Sequence, residues 1–191
     1  KFNEFTAILA GNSLLTLAFE ILSSKDLNVS KGYKNELIKT LSKSAGHTGL
    51  AGGQYFDLTF ENKKISKNSI IKMQKKKTGE LFGFCCESIG IIKGLKFSKR
   101  MQLKELGINI GLLFQTIDDL IDYKGDTAIV GKPTKSDLKK GKANLLNLVG
   151  YQKTMNFAEN LKKKIDKQIK KNGSKADDLL DSVEFIMQRK F

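Results

Sequence analysis

Proline occurs once in 191 residues, tryptophan not at all, and aromatic side chains make up 8%. A chain this poor in turn-formers and aromatics argues against an all-β sandwich and suits a helical protein. The longest apolar runs fall far short of the ~18 consecutive residues of a membrane span, so no integral membrane segment is expected. The two cysteines, Cys85 and Cys86, are adjacent. Adjacency suits neither a C-x-x-C metal site nor a strain-free disulfide, and predicts buried thiols in a reducing cytoplasm. No charged segment followed by an apolar one opens the chain, which points away from secretion. Residue 1 is Lys rather than Met, so the chain is expected to be a cut, processed or incompletely represented product.

Arginine is nearly missing too. Lys and Arg together number 34 against 20 acidic residues, a formal charge of +14, yet only Arg100 and Arg189 are arginines. Such an imbalance raises nucleic acid as a partner, but base readout leans on the bidentate guanidinium. The lysines are spread along the chain, with clusters at Lys75 to Lys77, Lys139 to Lys142 and Lys162 to Lys171. They read as solvated helix faces, and no nucleic-acid partner is expected.

What is present is apolar periodicity of the helical kind. Hydrophobic residues at 40% of the chain suffice for one domain burying roughly 70% of its unfolded surface. Asn3 is placed to cap a helix carrying Phe5, Ile8, Leu9, Leu15, Phe19 and Leu22. A second helix from near Lys34 runs into a stretch with glycines at 46, 49, 52 and 53. Each costs a helix roughly 0.8–1 kcal/mol against alanine, which suggests close backbone packing or a ligand nearby. His47, between these glycines, reads as a packing residue. A third helix is expected over about Ser69 to Ile92, with Ile70, Met73, Leu81, Phe82 and Ile89 inward. A fourth, capped by Ser98, runs to about Tyr123. Lys124 to Lys135 reads as a loop, and further helices follow around Ser136 to Leu148, Thr154 to Lys171 and Asp177 to Arg189.

The sharpest chemical feature is Phe114-Gln115-Thr116-Ile117-Asp118-Asp119-Leu120-Ile121-Asp122. On a helix Asp118 and Asp122 stack on one face, with Gln115 one turn before and Asp119 beside them. Stacked carboxylates repel, and acids near a helix C-terminus oppose its dipole. A hard cation resolves both conflicts, because Mg²⁺ takes one or two carboxylates and completes its shell with water and substrate phosphate. Phosphate in turn calls for lysines, and Lys77, Lys132 and Lys142 are the candidates. A second D-D-x-x-D, Asp177 to Asp181, reads differently: Ser174 and Asp177 have capping-box spacing, and acids in a first helical turn favour the dipole.

Several of these motifs stand together in one order. Ala10-Gly11-Asn12, Gly49-Leu50-Ala51-Gly52-Gly53-Gln54-Tyr55-Phe56-Asp57-Leu58, Lys77-Thr78-Gly79, Phe114-Gln115-x-x-Asp118-Asp119-x-x-Asp122, Gly125-Asp126 and Gly131-Lys132 resemble those of the trans-isoprenyl diphosphate synthases. The resemblance runs from Glu4 to Ile186-Met187-Gln188-Arg189. It implies an all-α, antiparallel helical bundle in which Mg²⁺ ions and lysines stabilise an allylic diphosphate as its C–O bond ionises. The allylic group is then joined to isopentenyl diphosphate, giving a short-chain product such as farnesyl diphosphate. Carried onto this chain, Asp118, Asp119 and Asp122 belong to the metal site, with Asp119 the less direct participant. Lys77, Lys132 and Lys142 grip the diphosphate, Thr78 and Gln115 point oxygen dipoles at the cation, and Phe114 walls the hydrocarbon. A homodimer is implied as well.

The chain also departs from the pattern. No D-D-x-x-D with a following arginine pair precedes Asp118, Asn12 stands where the family has Asp, Lys135 replaces a usual Gly, and Ala143 to Leu146 replace a Ser-Thr-Tyr-Pro-like run. The expectation is therefore a C-terminal portion of a single helical domain, incomplete at its N-terminus and unable to condense substrates alone. The alternative is a non-catalytic, prenyltransferase-like partner subunit.

Overall fold

The structure, a computed structural model, describes residues 2–124, 141–171, 173 and 176–189. Among them every regular element is helical, as the composition predicts. In chain order these are α1 (Glu4–Ser23), α2 (Lys31–Ala45), α3 (Leu50–Thr59), α4 (Lys67–Gln74), a π-helical turn (Lys75–Gly79), α5 (Glu80–Ile92), α6 (Phe97–Lys124), α7 (Leu145–Val149), α8 (Tyr151–Lys170) and α9 (Asp177–Gln188).

Local chemistry sets most of the starts. Asn3, Ser30, Ser66 and Asn144 each accept a backbone N–H of the first turn, capping α1, α2, α4 and α7. Ser98 does not cap α6, which already begins at Phe97. Gly94, at φ +62°, ends α5, with Leu95 N donating to Gly90 O and Gly94 N to Ile91 O. This Schellman arrangement turns the chain sharply, so α5 and α6 lie side by side.

The spine of the molecule is α6, 28 residues and about 42 Å long. Leu106, Ile110, Leu113, Ile117 and Leu120 recur on its buried side and meet Ala158, Leu161, Ile165 and Ile169 of α8 and Val183 and Ile186 of α9. The α8 spacing of three, four and four keeps its lysines outward, which is where the solvated-face reading puts them. On the opposite flank α6 lies against α5 and the π-turn, and here glycine replaces bulk. A Cβ on Gly107 would stand 2.3 Å from Phe82 O, and one on Gly111 2.8 Å from Gly79 Cα. The inward face of α5 is therefore Gly83, Glu87, Gly90 and Ile91, whereas Ile89, expected inward, is 57% exposed. Buried Glu87 pairs with Arg100 at 3.6 Å, and Arg100 reaches Glu36 at 2.6 Å, tying α2, α5 and α6 together.

Four other expectations need correction. Cys85 is exposed, on the side of α5 opposite its glycine face, and Cys86, beside that face, is only partly covered. His47 is exposed, leaving the contact at that bend to its backbone carbonyl, 1.9 Å from where a Gly52 Cβ would stand. The third helix is not one α-helix, because the π-turn interrupts it. Helix α1 contributes nothing to the core, with Phe5, Ile8 and Leu9 each more than half exposed. Its 20 residues are also long and apolar enough to cross a membrane, with a mean hydropathy of 1.6 over 18 residues. Gly11, Asn12, Ser13 and Thr16 interrupt its apolar run while lowering the mean little, which is why no long unbroken run marks it in the sequence. The core helix of a soluble protein meets the same length and composition.

Candidate active site

Of the predicted residues, Lys77, Thr78, Gln115, Asp119 and Lys142 meet where the π-turn crosses α6 and α3. A π-turn admits one residue more than an α-turn, so neighbouring side chains fan out to different partners. Thr78 faces α6, and its hydroxyl donates to Gln115 Oε1 at 2.8 Å. Lys77 faces α3, and its ammonium stands 2.5 Å from Asp57 Oδ2. Gly53 makes room for this approach: a Cβ there would lie 2.2 Å from Lys77 N. The costly glycines thus mark close backbone packing.

Asp119 organises the polar centre. It is 3% exposed, and its two oxygens accept from Gln74 Nε2 at 2.8 Å and Gln115 Nε2 at 2.9 Å. Because the Gln115 amide nitrogen is committed to the carboxylate, its oxygen is turned to Thr78. Gln74, 2% exposed, has no hydrogen-bond partner at its Oε1 among the described residues. A cavity of about 20 Å³, room for one water molecule, is lined by Asp57, Gln74, Lys77, Gln115, Asp119 and Lys142. Lys77 and Lys142, 65 positions apart, therefore reach the same place.

Phe114 and Asp118 are joined through Arg189, which leaves α9 to stack 3.8 Å from the centre of the Phe114 ring. Its guanidinium donates to Phe114 O at 3.1 Å and stands 3.7 Å from Asp118 Oδ1. Burial lowers the Arg189 pKa and Asp118 partly offsets this; a guanidinium remains charged all the same. Phe114 also packs against Phe82, ring centres 5.7 Å apart. Asp122 is buried at 7% exposure, while the Asp118 side chain is 34% exposed.

Among the described residues no group of three or more His, Cys, Asp or Glu side chains is placed to hold a metal ion. With Asp119 turned to two amides, the carboxylates of α6 do not converge as one three-membered set. Asp118 and Asp122 remain a pair of hard oxygen donors on one face, the donor chemistry that Mg²⁺ takes from a protein. Lys132, with Gly125, Asp126 and Gly131, lies outside the described residues, as does Ser174 of the supposed capping box. Asp177, Asp178 and Asp181 are exposed on α9, in keeping with a solvated first turn. Sequence reasoning gave no role to Asp57, Gln74 or Arg189. Gln74 could have been found, since it precedes Lys77 by three residues on one helical element.

The polyprenyl synthetase profile matches residues 1–183. A farnesyl diphosphate synthase of Micrococcus luteus is 38% identical over 152 residues, 80% of this chain and 52% of that protein. A geranylgeranyl diphosphate synthase of Cyanophora paradoxa is 31% identical over 98% of this chain and 63% of its own length. In structure the chain matches a geranyltransferase from Helicobacter pylori complexed with magnesium and isoprenyl diphosphate. That likeness has a TM-score of 0.82 and 29% identity, covering 98% of this chain and 61% of the other. The chain spans about half the length of the first curated relatives it matches. A helical fold, a Gln115–Asp119 core and a profile match along nearly the whole length lead to one assignment: the chain belongs to the polyprenyl synthetase family.

Proposed function

We propose that the protein to which this chain belongs is a trans-prenyl diphosphate synthase. It condenses an allylic diphosphate with isopentenyl diphosphate, and its product is farnesyl diphosphate. The observation that carries the reading is the hydrogen-bonded series Thr78–Gln115–Asp119–Gln74 beside the Asp57–Lys77 pair. It gathers cationic and oxygen-dipole groups at the end of the helix that bears Asp118 and Asp122. The farnesyl diphosphate synthase relatives support the product, and magnesium in the Helicobacter pylori structure supports the metal.

Asp118 and Asp122 would hold Mg²⁺, whose charge, when bound, offsets that of the departing diphosphate. Lys77 and Lys142, joined by Lys132, bind the diphosphate oxygens and stabilise the charge that grows on them as the C–O bond breaks. Gln115 Oε1, held in place by Asp119, and the Thr78 hydroxyl oxygen turn partial negative charge toward the allylic cation. Phe114, braced by Phe82 and Arg189, forms part of an apolar wall that keeps water from that cation. The exposed apolar face of α1 supports a dimer.

The test is a Mg²⁺-dependent condensation assay with dimethylallyl or geranyl diphosphate and isopentenyl diphosphate on the full-length protein. Asp118→Ala and Lys77→Ala should each lower kcat by at least ~100-fold, the scale of losing a charge stabiliser. Asp177→Asn, in the second D-D-x-x-D, should leave kcat unchanged. Wild-type turnover in either of the first two variants would sink the assignment.

A further inference from the structure

Asp57 has no part in the proposed chemistry, yet it occupies the group that chemistry needs most. Its side chain is 8% exposed and sits 2.5 Å from the Lys77 ammonium, which is itself 27% exposed. The two are brought together on purpose-built backbone: Gly53 and Asp57 are i,i+4 on α3, so they share a face. Gly53 lets the π-turn approach to a distance that no side chain would allow. The cavity both residues line has room for one water, far less than a diphosphate occupies. The ammonium has three N–H donors, so what sets Asp57 against a diphosphate at Lys77 is the narrow space beside their contact rather than a shortage of donors.

We propose that Asp57 is an internal stand-in for the diphosphate, competing with it for Lys77 and being displaced when the diphosphate binds. The proposal rests on the diphosphate reading of Lys77 above. Breaking the pair leaves a buried carboxylate without its cation, and such a charge is costly unless another approaches. Lys142 lines the same cavity and is placed to offset part of that cost. The exchange lowers the affinity of the site for any anion. Weak binders such as orthophosphate are turned away, and re-formation of the pair favours release of the product diphosphate.

The experiment is calorimetric titration of the full-length protein with inorganic pyrophosphate, which requires no turnover. Asp57→Asn should tighten pyrophosphate binding by about 3- to 10-fold, the weight of one partly screened ion pair. Asp57→Glu, which restores the carboxylate, should return affinity toward wild type. In a Lys77→Gln background the gain from Asp57→Asn should vanish, because the effect passes through Lys77. Asp57→Ser serves the same comparison if the asparagine variant does not fold. Unchanged or weaker binding in the Asp57 variants, or an equal gain without Lys77, overturns the proposal. Absence of pyrophosphate binding in the wild type, or wild-type affinity in Lys77→Gln, overturns the diphosphate reading itself and the stand-in with it.

Discussion

Both arginines of this lysine-rich chain stand where a lysine would serve poorly. Arg100 and Arg189 have side chains only 13% and 9% exposed, and each contacts partners on more than one side. A guanidinium is more weakly hydrated than an ammonium and can fork, as Arg100 does between Glu36 and Glu87, or stack, as Arg189 does on Phe114. The lysines are used otherwise: Lys162 bridges Asp166 and Glu184 at the surface, and its hydrogen bond to Asp166 is the main cause of its raised pKa. Side chains of one type can differ as sharply. Burial, reinforced by its neighbour Cys85, pushes the Cys86 thiol up to about 11. A raised thiol pKa means less thiolate below it, roughly one molecule in a thousand at pH 8. Iodoacetamide at pH 8 should therefore label exposed Cys85 first, with Cys86 reacting appreciably only as the pH climbs toward 11. Mass mapping of the labelled peptide checks this, and equal rates at pH 8 would contradict it.

Among the elements, the α5–α6 pair shows most clearly what glycine does here. Gly107 touches backbone, not a yielding side chain, so Gly107→Ala should destabilise by about 1–3 kcal/mol through overpacking. Gly11, on exposed α1 with nothing within 4 Å of its would-be Cβ, should behave oppositely. Gly11→Ala should stabilise by about 0.5–1 kcal/mol through helix propensity alone. Urea midpoints of the two variants separate close packing from propensity. These elements also show how much was legible in the sequence. The 3.6-residue rhythm marks α2, α6, α8 and α9 because each buries one stripe against a neighbour. It is silent about the π-turn, since one inserted residue shifts the rhythm without breaking it. It misplaces the inward face of α5 because glycine and Glu87, not bulk, lie inside. The site divides the same way. That Gln115 and Asp119 lie together is legible because they share one helix, and Lys77 and Lys142 stand out because the phosphate expected beside a cation would call for lysines. The pairing of Asp57 with Lys77 is not legible, because it depends on how closely α3 approaches the π-turn.

Over the whole molecule, stability is concentrated on one side. The core runs between α6, α8 and α9, while α1 packs against α2 and leaves its apolar side chains to solvent. In the 191-residue chain Leu161→Ala should cost about 2–5 kcal/mol, the range for a buried leucine. Leu9→Ser, at a position 61% exposed, should shift stability by no more than about 0.5 kcal/mol. Thermal or urea unfolding of both variants tests the asymmetry; a large loss at Leu9 would show that α1 is covered in solution.

The π-turn has a consequence for how this sequence can change over generations. Lys75–Gly79 joins α4, whose Ile70 and Met73 are anchored in the interior, to α5, and its own Gly79 together with Gly83 of α5 packs against Gly111 and Gly107 of α6. Because the π-turn absorbs one extra residue, deleting one residue there would return it to α-helical winding while α4 and α5 kept their faces toward α6. The packing would survive such a change better than a deletion within α5, where the glycines would rotate by about 100° off α6. What the deletion would remove is the divergence of Lys77 toward α3 and Thr78 toward α6.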